Sequence, residues 1–193
     1  MKAEPADIPV GEILKLRQLQ MLVVNAEYQR GVVWTLAQKK KLVDSVLRGY
    51  PLPLIYFHQI RQEAAGLISQ RLEVIDGQQR INALYEFHEG AFKLFDPIKD
   101  AGEARFPDFI KRTPCPCAGC TFQGLNEPLR EQFLNTVLRV VHIETSDPNQ
   151  ARDLFVRLQA GMPLNSQEKR DAWPGQFTEF VLKLAARGAS AVS

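Results

Sequence analysis

A chain of 193 residues with 45% hydrophobic and 24% charged residues has the balance of a folded globular protein and is long enough to bury a core without staples. Its 24 Lys and Arg against 22 Asp and Glu leave a net charge of +2, which excludes the broad basic field of a protein that holds nucleic acid by charge alone. No apolar run approaches the ~20 residues that span a bilayer, and Met1-Lys2-Ala3-Glu4-Pro5 lacks the apolar core of a signal peptide, so a cytoplasmic protein with no membrane contact is expected.

Residues 5–9 read as an extended lead-in, and Ile13, Leu14, Leu16 and Leu19 give a short helix. Val23 and Val24 fit a brief strand. An irregular loop follows over 25–34, where Gly31 supplies backbone freedom. Thr35 with Gln38 three residues on is a capping-box pattern, Leu42, Val43, Val46 and Leu47 form one apolar face, and Gly49 stops that helix. The lysines at 39–41 lie near its first turn, most simply as a solvated face, with phosphate binding as the alternative. Residues 54–57 and 72–75 have strand composition and are expected to pair. After Asp76, the apolar positions Ile81, Leu84, Tyr85 and His88 recur at i, i+3, i+4 and i+7, and Gly90 closes that helix. Residues 91–124, punctuated by Pro97, Gly102, Pro107, Pro114, Pro116 and Gly119, read as an irregular insertion. A short helix over 129–134, a strand over 137–143 and a helix over 148–160 come next. Asn165 with Glu168 opens a last helix, which Pro174 interrupts before it resumes over 177–186. The order is that of a single α+β domain, since strands and helices interleave without regular alternation.

The run Asp76-Gly77-Gln78-Gln79-Arg80 stands between a strand and a helix. Such a corner gathers free backbone N–H groups and the positive end of a helix dipole, and Gly77 lets a ligand approach. Gln78 and Gln79 offer amide donors and acceptors, Arg80 a planar fork for phosphate or carboxylate, and Asp76 an acceptor for a ribose hydroxyl, a magnesium ion or a water. The alternative is that Asp76 caps the helix and the rest are solvated; spacing alone leaves both open. Gln29 and Arg30, beside Tyr28 and Trp34, offer a second guanidinium, and Arg157 sits between apolar neighbours near a helix end.

Cys115, Cys117 and Cys120 fall within six positions, an odd number that fits reduced thiols or a zinc site better than a disulfide framework. His88 lies on an apolar stripe, where a partly buried histidine is expected rather than a catalytic base. The chain has no Gly-x-x-x-x-Gly-Lys phosphate loop, no His-Glu-x-x-His pair and no legible Ser-His-Asp set, which excludes conventional P-loop NTPase architecture.

Taken in order, Tyr28-Gln29-Arg30 with Trp34, then Ile75 with the Asp-Gly-Gln-Gln-Arg run, then Phe155-Val156-Arg157-Leu158 with Gly161, Leu164 and Glu168, resemble the N-terminal domain of GmrSD-type modification-dependent restriction enzymes. The resemblance runs over about residues 8–172. That domain also occurs in the phosphorothioate-sensing protein SspE and belongs to a ParB/sulfiredoxin-like superfamily. The resemblance implies a small mixed sheet flanked by helices, and a nucleotide-hydrolysing or DNA-sensing module of bacterial anti-phage defence. It implies that Asp76, Gly77, Gln78, Gln79 and Arg80 form the hydrolysis motif, with Gln29, Arg30 and Arg157 supporting the same pocket. The ligand implied is a nucleoside triphosphate, GTP or ATP, with Mg2+; DNA and a partner nuclease domain or protein are the implied partners. The chain departs from the pattern at Asn25, Ala26 and Gly31, where prolines are usual, and at Gln159, where Asn is usual. The His-Asn-His nuclease domain that often follows is not legible, since His58, His88 and His142 are widely separated. Two readings result: a nucleotide-binding and hydrolysing regulatory domain acting on foreign or modified DNA, or a non-enzymatic DNA- or protein-binding module in which Arg30, Arg80 and the lysines at 39–41 contact phosphates.

Overall fold

The structure is a computed structural model and describes residues 1–24, 33–64, 67–100, 102 and 115–159. Among the described residues the elements run β1 (Lys2–Pro9), α1 (Val10–Gln18), β2 (Leu22–Val23), α2 (Leu36–Leu47), β3 (Ile55–Ala64), β4 (Leu67–Asp76), α3 (Gln78–His88), α4 (Glu127–Asn135), β5 (Val137–Glu144) and α5 (Pro148–Gln159). This is an α+β fold. The helices predicted over 165–186 lie outside the described residues. By its contacts the chain divides into two compact units, Met1–Arg152 and Asp153–Ser193. None of the described helices is long and apolar enough to cross a membrane.

The five strands form one mixed sheet in the order β1-β5-β3-β4-β2. β3 and β4 pair antiparallel, as their composition predicts, while β3 runs parallel to β5 and β2 parallel to β4. The extended lead-in is a true strand: β1 lies antiparallel on β5 from Lys2 opposite Glu144 to Pro9 opposite Val137. Pro5 and Pro9 are tolerated because β1 is an edge strand, where a missing N–H costs the ladder little.

One face of the sheet carries the main core. Phe57, Val74, Leu138 and Val140 meet Ile13 and Leu14 of α1, the apolar face of α2, Ile81, Leu84 and Phe87 of α3, and Phe133 of α4. On α3 the buried stripe runs through Ile81, Leu84 and Phe87, and His88, with its side chain 26% exposed, is partly buried as expected. Phe87 is the hub of an aromatic cluster, with ring centroids 5.6 Å from Phe92, 6.1 Å from Phe122 and 5.4 Å from Phe133. Residues of the irregular insertion are thus part of the core: Phe92, Leu94 and Phe122 are buried in it, as is Leu125 just after the insertion. The described residues that carry them are turns, bends and irregular backbone, which is why no periodicity marks them.

A fault in the β3–β4 ladder sets the position of the polar corner. Phe57 pairs with Val74 but Tyr56 pairs with Asp76, so the register shifts and Ile75 is the extra residue. Such an irregularity re-aims the strand end; here it brings Asp76 beside Tyr56.

Candidate functional site at the end of strand β4

β4 ends at Asp76, and Gly77 turns the chain into α3 with φ +99° and ψ 8°. Only glycine adopts that conformation without strain. Space imposes the same choice, since a Cβ at this position would lie 2.9 Å from Ile55 Cγ1 and 3.3 Å from Arg80 Nη2.

Gly77, not Asp76, is the N-cap of α3, and it brings no side chain to cap the helix. The capping alternative for Asp76 is therefore not the arrangement adopted. Its Oδ2 instead accepts a 2.6 Å hydrogen bond from Arg80 Nη2, one helical turn on. Arg80 is only 9% exposed. Its Nη1 donates to the carbonyls of Pro53 and of Leu54, the latter at 3.0 Å, so one guanidinium ties α3, the end of β4 and the entry to β3 together. Burial pushes the Arg80 pKa below its ordinary value, while the Asp76 charge and hydrogen bond oppose that fall; an arginine remains charged regardless. Tyr56 is the third member. Its phenol is pushed above its ordinary value by burial first and by the Asp76 carboxylate second, with Arg80 pulling back.

The glutamines are anchored. Gln78 is buried and its Nε2 donates to Val74 O at 3.1 Å. Gln79 Oε1 accepts the Trp34 backbone N–H at 3.3 Å, which links the corner to the residue preceding the N-cap of α2. Trp34 itself packs against the core.

The structure brings Asp76, Gly77, Gln78, Gln79 and Arg80 together. Gln29 and Arg30 lie outside the described residues. Arg157 belongs to the second unit, exposed on the last turn of α5, where its Nε donates to Asp153 Oδ2 at 2.8 Å. Of the lysines, Lys39 pairs with Glu86 at 2.7 Å, Lys40 lies 4.8 Å above the Phe95 ring, and Lys41 is exposed. Two of the three are engaged within the fold.

Elsewhere, Cys115 Sγ and Cys117 Sγ are 3.3 Å apart, while the Cys120 thiol faces the carbonyl of Ala118 at 3.7 Å. Among the described residues, no group of three or more His, Cys, Asp or Glu side chains is disposed to hold a metal ion.

Sequence reasoning did not single out Tyr56, whose relation to Asp76 depends on a register shift that leaves no local signal. It also passed over the Asp76–Arg80 pair, for which the i, i+4 spacing was a legible signal. A further feature it missed is a cleft of about 690 Å3 lined by Lys2, His58, Gln59, Ile60, Glu144 and Thr145 with their neighbours. It does not include the corner. His58 is buried there with Nδ1 3.4 Å from Glu73 Oε2, and its Nε2 has no hydrogen-bond partner.

Neither a curated protein nor a solved structure matches the chain. The family model described as the GmrSD restriction endonuclease, N-terminal domain, matches residues 10–173, which takes in β4, the corner and α3. The chain therefore belongs to the family of GmrSD restriction endonuclease N-terminal domains, components of restriction systems that act on modified DNA.

Proposed function

We propose that the corner at residues 76–80 binds and hydrolyses a nucleoside triphosphate, GTP or ATP with Mg2+, and that the domain uses this step to regulate a nuclease in response to modified DNA. The observation that carries the reading is the start of α3. The N-terminus of α3 brings the positive end of the helix dipole beside the Asp76 carboxylate, and its N-cap, Gly77, places no side chain over it. Phosphate oxygens suit such a helix start in both hydrogen bonding and charge.

In this reading each side chain has a separate task. Arg80 positions the corner: its donors hold Pro53, Leu54 and Asp76, so it fixes the carboxylate without needing to touch the nucleotide. Asp76 keeps a second oxygen to orient a water or help hold Mg2+, an ion that commonly uses one or two carboxylates along with substrate phosphates. Gln79, held by the Trp34 N–H, and Tyr56 frame the approach. Gln29 and Arg30 remain supporting residues that the family resemblance implies, and the ParB/sulfiredoxin-like character of the fold belongs to the same proposal. DNA and a nuclease domain as partners follow from the family.

The competing reading, a DNA-binding module using Arg80 and the lysines at 39–41, has less geometry behind it. Arg80 is buried and committed, Lys39 is paired and Lys40 lies on a ring. Calorimetric titration of the protein with GTP and ATP, with and without Mg2+, and measurement of phosphate release test the proposal. Binding of at least one nucleotide is expected, with Asp76→Asn abolishing phosphate release while the domain stays folded. Absence of binding by every nucleotide, or phosphate release unchanged in Asp76→Asn, would falsify it.

A further inference from the structure

The three cysteines take no part in the corner, yet their arrangement is specific. Cys115 and Cys117 sit on one turn, closed by the Ala118 N–H on Cys115 O at 3.0 Å and the Cys120 N–H on Cys117 O at 3.2 Å. That turn is fastened to the core segment before it by the Leu94 N–H on Cys120 O at 2.9 Å. The Cys117 side chain is 8% exposed and packs in the core, whereas Cys115 is half-buried. Their sulfurs lie 3.3 Å apart, so they need to close by only about 1.3 Å to reach the ~2.05 Å of a disulfide. Cys120 is turned away, toward backbone carbonyls. Arg48, held by Asp44 at 2.7 Å, is close enough for its charge to be felt by both thiols. Three thiols in a short loop thus divide into a facing pair and a bystander.

We propose that Cys115 and Cys117 are an oxidisable dithiol, a site of peroxide-driven disulfide formation in which Cys115 is attacked first and Cys117 resolves. The order follows from exposure and charge. Peroxide reacts with a thiolate it can reach, and Cys115 is the more accessible of the two. Cys117 is held as the neutral thiol, its pKa pushed up to about 12 by burial first and then by its hydrogen bond and charge coupling to Cys115. In the first step the Cys115 thiolate sulfur attacks a peroxide oxygen; an S–O bond forms, the O–O bond breaks, and the departing oxygen leaves as water after taking a proton. In the second step Cys117 sulfur attacks the Cys115 sulfenic acid sulfur; the S–S bond forms and the S–O bond breaks. The thiol proton leaves with the hydroxyl as a second water. The balance is two thiols and one hydrogen peroxide giving one disulfide and two waters. The held turn keeps the second thiol beside the first, which favours the disulfide over further oxidation of Cys115.

The full chain, treated with a modest excess of hydrogen peroxide, then unfolded and alkylated, should lose two hydrogen atoms in mass and retain one alkylatable thiol of its three. A dithiol reductant should restore all three. Cys120→Ser should show the same two-hydrogen loss with no alkylatable thiol left, while Cys115→Ser should lose the two-hydrogen change completely. Because Cys117 is part of the core, Cys115→Ser at its half-buried position is the variant that decides. The proposal is overturned if the two-hydrogen loss persists in Cys115→Ser, if it disappears in Cys120→Ser, if Cys115 goes to a sulfinic acid while Cys117 stays a free thiol, or if peroxide changes nothing.

Discussion

The two helices that meet at Trp34 begin in opposite ways. Thr35, before α2, is extended at φ −66° and ψ 158°; its hydroxyl accepts the Gln38 N–H at 3.3 Å and Gln38 Oε1 accepts the Thr35 N–H at 2.8 Å. That end is satisfied from within four residues. Gly77, before α3, is left-handed and contributes no side chain, and the nearest functional groups, on Asp76 and Arg80, bond to each other and, through Arg80, to the carbonyls of Pro53 and Leu54 just before β3. The two ends are neighbours, joined by the Trp34 N–H on Gln79 Oε1. A helix start that serves only the fold is closed by its own sequence. One whose N-cap is a left-handed glycine with no side chain, beside a firmly held carboxylate, departs from that pattern, and such departures concentrate where a protein keeps groups for a ligand.

The strongest way to break the contrast is to remove the residue that holds the open end in shape. Arg80→Ala strips donors from two carbonyls and leaves Asp76 partly buried without its partner. Removing one member of such a pair costs about 4 kcal/mol, read as a lowered urea midpoint. Arg80→Lys should recover less than half of that, because one ammonium cannot reproduce a guanidinium spanning three acceptors. A loss below about 1 kcal/mol, the size of an ordinary hydrogen bond, would mean that Arg80 does not hold the corner. Gly77→Ala comes next. The left-handed backbone costs about 1–2 kcal/mol for a residue with a Cβ, and displacing Ile55, whose Cγ1 is 2.9 Å from that Cβ, adds about 1–2 kcal/mol of overpacking. A midpoint matching the parent would show that the corner relaxes freely.

Alkali should also separate the corner from the buried cysteine turn. The Tyr56 pKa is raised in the fold, as is that of Cys117, to about 12 from its ordinary value near 9. A group whose folded pKa is raised contributes stability that is present below the unfolded pKa and lost as pH rises through the folded one. Stability should therefore fall from about pH 9 towards pH 12. Cys117→Ala should flatten that fall, and Tyr56→Phe should remove a smaller part of it at the corner. Urea midpoints taken across this range check both, and parallel curves for parent and variants would refute the assignment.

Legibility differed between the ends for a physical reason. The α2 cap rests on residues three apart, so Thr35, Gln38 and the apolar set Leu42, Val43, Val46 and Leu47 could be read from spacing alone. The strand pair β3–β4, the strand β5 and the start of α5 at Pro148 were legible in the same way. The corner was legible as a location, since strand, glycine and helix follow one another, but not as an arrangement. That Arg80 faces Pro53 and Leu54, and that Tyr56 stands opposite Asp76, depends on long-range pairing and on a register shift. β1 was read only as extended because its partner β5 lies more than a hundred residues away and its prolines argue against a central strand. The buried aromatics Phe92 and Phe122 were hidden because their backbone is irregular and carries no period.

The smallest effect is the control that gives the comparison its meaning. Thr35→Ala deletes the hydroxyl that accepts the Gln38 N–H and leaves Gln38 to hold the Thr35 N–H alone. Loss of such a cap costs about 1 kcal/mol, with the rest of α2 kept in place by its buried face. Because the Gln79 contact uses the Trp34 backbone N–H and not a side chain of α2, the corner should keep its geometry. Nucleotide affinity should therefore match the parent, while the urea midpoint falls slightly. If Thr35→Ala weakened nucleotide binding as much as Asp76→Asn does, the two helix starts would be one cooperative unit, and the division between a closed structural end and an open functional one would fail.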